Sequence, residues 1–93
     1  MFKDLDPLLH SQLRLMIISY LISNTETDFN ELKKITGATS GNLSVQLKKL
    51  EEADYIKITK GFLGNYQNTN VKISDTGIKA FSAYAEALKG YLN

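Results

Sequence analysis

The sequence has no cysteine and no tryptophan, and it holds one proline and one histidine. Without cysteine there is no disulfide framework, no thiolate zinc site and no thiol redox switch. The single histidine, His10, excludes a multi-histidine metal centre, and neither a metal nor a cofactor is expected. No apolar run approaches the ~20 residues of a membrane span, and the start MFKDLDPLL lacks the layout of a secretion signal. The expected compartment is therefore the cytoplasm, with no membrane partner. An excess of one charge is also missing, since 11 Lys and Arg face 10 Asp and Glu for a net +1. Composition alone does not announce a nucleic-acid binder. The pairs Asp4 with Asp6 and Glu51 with Glu52 stand one or two positions apart, a spacing that turns helical side chains away from each other. No glycine-rich phosphate loop follows a strand. An enzyme is not expected.

What is present fits one domain spanning residues 1–93, with 43% apolar and 23% charged residues. Asp6-Pro7 offers an N-cap followed by proline at a first helical position, which predicts a first helix over 7–23. Ser23–Asp28 is polar and reads as a turn. Asp28 caps a short helix, Phe29–Thr36, with Glu31 completing a capping box and Gly37 ending it. Thr39 caps a third helix to about Ala53, with Leu43, Leu47 and Leu50 on one face. Tyr55–Lys60 and Thr69–Ile73 alternate apolar and polar residues and predict a hairpin with GFLGNYQN as its tip. Ser74 or Asp75 caps a last helix over 75–92, in which Gly77 is a mild blemish. The expected core includes Leu32, Ile35, Leu43, Leu47 and Leu50. The fold class is mainly helical α+β, a winged helix-turn-helix of three helices, a two-stranded wing and a C-terminal helix.

Three features of this arrangement favour DNA. The face of the third helix opposite its leucines gathers Gly41, Val45 and Lys48 within roughly 140–200° of Leu43, with Ser44 and Lys49 flanking. Small residues let a helix enter a major groove, and an exposed valine suits a thymine methyl as well as it suits plain surface. Charge is also uneven. Residues 1–29 carry Lys3 and Arg14 against four carboxylates, net −2, whereas residues 30–79 carry eight lysines against five carboxylates, net +3. Finally, Thr39-Ser40-Gly41-Asn42 places hydroxyls and an amide at a helix N-terminus, where phosphate is favoured.

The run FNELKKITGATSGNLSVQLKKLEEADYIKITKGF, with the later SDTGIKAF, resembles the compact single-domain winged-helix regulators of the MarR/ArsR superfamily. The likeness covers about residues 5–90. It implies a dimer with its helix-turn-helix in the major groove and its wing over the backbone or minor groove. The recognition positions it implies are Thr39, Ser40, Gly41, Asn42 and Ser44, with Val45, Gln46, Lys48, Lys49 and Lys60 completing the expected DNA-binding set. Three departures stand out. Gln46 replaces a histidine and can itself read adenine. Asp54 replaces a glycine at a left-handed position. Gly64-Asn65-Tyr66-Gln67-Asn68 replaces an arginine-rich wing, so specificity should rest chiefly on the helix.

The terminal helices carry more apolar surface than one core of this size can bury. The first shows Leu9, Leu13, Met16, Ile17 and Tyr20 on one face and Leu8, Leu15, Ile18 and Ile22 on another. The last repeats Ile78, Phe81, Ala85, Leu88 and Leu92 at coiled-coil-like spacing, with Tyr84 and Tyr91 as a second stripe. These helices either satisfy each other or join across a two-fold axis. The favoured reading is a homodimer whose interface draws on Leu8, Leu15, Ile18, Ile22, Tyr84, Leu88, Tyr91 and Leu92. Such an interface could also hold a small apolar effector, although no residue pattern identifies one. The expected function is a sequence-specific transcriptional regulator of double-stranded DNA. The rival is a winged helix that binds protein rather than DNA.

Overall fold

The computed structural model describes residues 2–92. The elements in chain order are α1 (Gln12–Asn24), β1 (Glu26–Asp28), α2 (Phe29–Thr36), α3 (Ser40–Glu52), β2 (Ile56–Leu63), β3 (Tyr66–Ile73) and α4 (Asp75–Leu92). The strands form one antiparallel sheet in the order β1-β3-β2. This is the mainly helical winged helix expected from the sequence, with a third strand added. Among the described residues no helix is long and apolar enough to cross a membrane.

Local chemistry explains the middle of the chain. The Asp28 carboxylate accepts from the Glu31 amide at 2.7 Å and starts α2. Gly37, at φ 72°, ends it in the left-handed region where only glycine is free of Cβ strain. Two residues later Thr39 Oγ1 accepts from the Asn42 amide at 3.2 Å and starts α3. α3 then closes on Asp54, which takes φ 63°, in the left-handed region that favours glycine. Leu43, Leu47 and Leu50 are buried with Leu32 of α2, Ile17, Ile18 and Leu21 of α1, and Ile56, Val71 and Ile73 of the sheet.

Several expectations are corrected. The first helix begins at Gln12, not at Pro7. Asp6 caps only an isolated turn, with its carboxylate taking the Leu8 amide at 2.9 Å and its carbonyl taking the amides of Leu9 and His10. Ser11 then goes extended (φ −149°, ψ 128°), and the break drops Leu9 into the core. Residues 26–28 are a strand rather than part of a turn, because they pair with Lys72, Val71 and Asn70 of β3. The hairpin strands are longer than their alternating segments, and the tip shrinks to Gly64-Asn65. Ile35 is 40% exposed, since α2 turns only Leu32 fully inward. Ile18 and Tyr84, expected at a partner surface, lie in the chain's own core at 0% and 6% exposure. Gly77 is no blemish: a Cβ there would lie 2.2 Å from the Tyr55 carbonyl oxygen.

The N-terminal turn is tied to the sheet by one polar contact with a pH signature. The Tyr55 hydroxyl donates to the Asp6 carboxylate. Burial, then the hydrogen bond to Asp6 and its negative charge, push the Tyr55 pKa up from 10.0 to about 12. The folded chain therefore keeps a proton that the unfolded chain releases. This contribution is complete below about pH 10 and is lost as pH rises through about 12. Urea midpoints measured across that window should fall less steeply for Tyr55→Phe than for the parent. An equal fall in both would show that Tyr55 is not linked to folding.

Candidate nucleic-acid interface

α3 divides cleanly into two faces. Its three leucines are buried, whereas Ser40, Gly41, Asn42, Ser44, Val45, Lys48 and Lys49 are exposed, as is the cap Thr39. Val45 is 52% exposed on this otherwise polar face. The small residues cluster in the first turns and the lysines follow one to two turns later. The end of the helix that offers free backbone N–H groups therefore presents the least bulk.

The hairpin stands beside this face. In β2 the side chains alternate, with Ile58 half-buried and Lys60 exposed two positions further out along the same side. Lys60 pairs in register with Thr69, and Phe62 with Gln67. The result is an open groove of about 540 Å³ between α3 and the wing. Phe29, Leu47 and Ile58 form its floor; Ser44, Lys48 and Glu51 line the α3 wall; Lys60, Gln67 and Thr69 line the wing wall. A cationic side chain thus stands on each side of the groove. Among the described residues the ion pair present is Lys89 with Glu86, so Lys48, Lys49 and Lys60 keep their charge for a partner. Lys57 and Lys72, register partners of each other, lie on the opposite face of the hairpin.

One expected contact residue has other engagements. Gln46 is half-buried; its Oε1 accepts from Arg14 Nη1 and its Nε2 donates to Asn42 Oδ1 at 3.0 Å. Both ends of its amide are occupied, so it does not stand ready to read adenine. Arg14, absent from the expected site, enters through this contact. Its place in α1, thirty-two positions before Gln46, gives no local signal. Gln67 and Thr69 line the groove as well, although their segment reads in the sequence as hairpin tip or strand start. At the wing end Phe62 and Tyr66, on opposite faces of the hairpin, are 77% and 80% exposed.

The expected partner surface is only partly free. Leu8, Leu15 and Leu88 are half-buried against the core. Ile22, Tyr91 and Leu92 are 38%, 45% and 75% exposed, and Ile78 of the α4 stripe is 43% exposed. A second, more apolar groove of about 500 Å³ runs between α1 and α2, lined by Gln12, Leu15, Met16, Ser19, Tyr20 and Ile35. Among the described residues no group of three or more carboxylates and histidines could hold a metal ion.

The comparisons with known proteins agree with this geometry. An uncharacterized protein of Methanocaldococcus jannaschii is 35% identical over 75 residues, which cover 81% of this chain and 82% of that protein. The transcriptional regulator homologue protein from Pyrococcus horikoshii OT3 has a TM-score of 0.84 at 26% identity, over 91% of this chain and 84% of that one. The transcriptional repressor BigR from Xylella fastidiosa shares the fold, with a TM-score of 0.66 at 21% identity over 84% of this chain and 74% of that one. The resemblance to winged-helix transcriptional regulators is borne out. The family described as a winged helix DNA-binding domain matches residues 13–92, and the chain belongs to that family.

Proposed function

We propose that this chain is a sequence-specific transcriptional regulator that grips duplex DNA as a homodimer. The N-terminal half of α3 enters the major groove, and the wing lies along the backbone. The observation that carries this reading is the groove between α3 and the hairpin, with unpaired Lys48 and Lys60 on its two walls. Ser40, Asn42, Ser44 and Val45 then face bases or adjacent phosphates, and Lys48, Lys49 and Lys60 meet backbone. Selection from a random duplex pool tests it. A recovered sequence bound with a salt-dependent affinity is the expected result. Absence of binding to any duplex, with Lys48→Ala and Lys49→Ala instead abolishing capture of a protein partner, favours the interaction-module reading.

The dimer is supported by the apolar side chains that α4 leaves exposed, Ile78, Tyr91 and Leu92, and by the groove between α1 and α2. A two-fold arrangement would set two α3 helices at half-sites about 34 Å apart. Burying a further Leu or Ile is worth roughly 1.5–3 kcal/mol. Ile78→Glu with Leu92→Glu should therefore yield a folded monomer, because both residues are exposed in the single chain. Sedimentation at micromolar concentration reads the outcome. A parent chain that sediments as a monomer removes the dimer from the proposal.

A further inference from the structure

A relay of hydrogen bonds runs from α1 to the tip of α3. Arg14 donates through Nε to the Leu8 carbonyl at 2.6 Å and through Nη1 to Gln46 Oε1. Gln46 Nε2 donates to Asn42 Oδ1 at 3.0 Å, and the Asn42 amide is held by Thr39. Arg14 and Gln46 are half-buried, while Asn42 is exposed on the face proposed to meet DNA. A guanidinium has donors and no acceptor. The Gln46 atom against it must therefore be the oxygen. That turns the Gln46 nitrogen toward Asn42, and the Asn42 atom receiving it must again be oxygen. The polarity of two amides is thus fixed from one end by the chemistry of Arg14. What remains at the outer end is Asn42 Nδ2, a donor without a partner among the described residues.

We infer that Arg14, acting through Gln46, sets Asn42 to offer a hydrogen-bond donor to DNA, so that this position selects acceptor atoms. Guanine O6 and N7, adenine N7, thymine O4 and phosphate oxygens are such acceptors, whereas cytosine offers none in the major groove. A freely turning asparagine reads adenine by offering oxygen and nitrogen together. Here the oxygen is held along the helix toward Gln46, and the donor end is left. Arg14 and Gln46 are positioning residues that need not touch the DNA. The inference rests on α3 being the helix that enters the groove.

Gln46→Glu tests it, because the change reverses the relay without removing it. A carboxylate at 46 accepts from Arg14 with one oxygen. With no N–H to give, it must accept from Asn42 with the other, which turns Nδ2 inward and Oδ1 outward. Parent and variant are compared on a selected site in which each position carries each of the four bases in turn. At one position the preference should move from guanine or thymine toward cytosine, which shows a donor and no acceptor in the major groove, by about tenfold, with adenine, which shows both, changing least. If Asn42 meets phosphate instead, affinity for all sequences should fall by about tenfold, and the fall should vanish in an Asn42→Ala background. A loss that persists in that background reflects only the added charge and overturns the inference, as does an unchanged preference with unchanged affinity. A parent chain that binds no duplex overturns the proposed function and not this relay. Should Gln46→Glu fail to melt cooperatively, Arg14→Met serves: it frees Gln46 to turn, and the preference at that position should broaden. A preference unmoved by Arg14→Met also counts against the relay.

Discussion

Replacing Gly77 by alanine is expected to destabilise the folded chain by about 2–3 kcal/mol, the scale of overpacking in a core. The added Cβ would stand 2.2 Å from the Tyr55 carbonyl oxygen and 3.0 Å from Ile73 Cγ1. The Tyr55 carbonyl cannot simply move aside, because it also accepts from the Ser74 amide at 3.0 Å, one residue before α4 begins. Either that bond lengthens or the whole start of α4 lifts from the sheet. In an open helix the same substitution gains roughly 0.5–1 kcal/mol, so here even the sign is opposite. Gly41 in α3 supplies the contrast, since nothing lies within 4 Å of a Cβ built there. Gly41→Ala should hold or raise the melting temperature, while Gly77→Ala should lower it by roughly 10–20 °C, at about 4–8 °C per kcal/mol for a domain of this size. Circular dichroism melts decide it. A Gly77→Ala chain as stable as its parent would mean that α4 does not start against Tyr55.

These two glycines also mark what a sequence can disclose. The helices α2 and α3 are legible because their signals are local: Asp28, Gly37 and Thr39 act on backbone groups within three or four residues, and the leucine spacing of α3 needs no knowledge of the partner. Gly77 looks like a weak helix former because its reason is a carbonyl twenty-two positions earlier in the chain. Strand β1 is hidden for the same cause. Glu26-Thr27-Asp28 is a polar triplet behind Thr25 at φ 68°, and only pairing with β3, more than forty positions away, extends it. Asp6-Pro7 predicts too early a start for the first helix because it is a sound capping signal that caps something shorter. Ile18 and Ile22 show the same apolar chemistry at helical spacing, yet one is fully buried and the other half free. Periodicity gives the faces of a helix, while the neighbouring elements decide which face turns inward. In the candidate site the small and basic face of α3 is legible on the same local terms. The occupation of Gln46 is not, because Arg14 stands thirty-two positions before it.

Replacing Lys48 and Lys60 together by alanine should lower affinity for every duplex by about a hundredfold per protomer bound at ~0.1 M salt, the largest effect expected of any surface change. Each phosphate neutralised by a lysine contributes a slope of about 0.9 in log affinity against log salt, which is near tenfold per contact at that concentration. The two side chains stand on opposite walls of one groove, are exposed and are not in ion pairs, so their removal leaves the core untouched. The salt slope should flatten by about two units per protomer bound while the preferred sequence stays the same, because phosphate contacts position the protein without reading bases. Lys57 and Lys72 provide the matched control. They carry the same charge on the same hairpin but lie on its other face, in register with each other. Their replacement removes two positive charges from the chain and a like-charge pair from the sheet, a change that should slightly favour folding. If affinity depends on net charge alone, the two double variants will weaken binding equally. If DNA lies along the groove, the Lys48 and Lys60 pair will cost far more than the Lys57 and Lys72 pair, and only the former will flatten the salt slope by about two units per protomer. A larger loss from the Lys57 and Lys72 pair would mean that the duplex approaches the hairpin from its outer face, and the groove between α3 and the wing would lose its role as the contact surface.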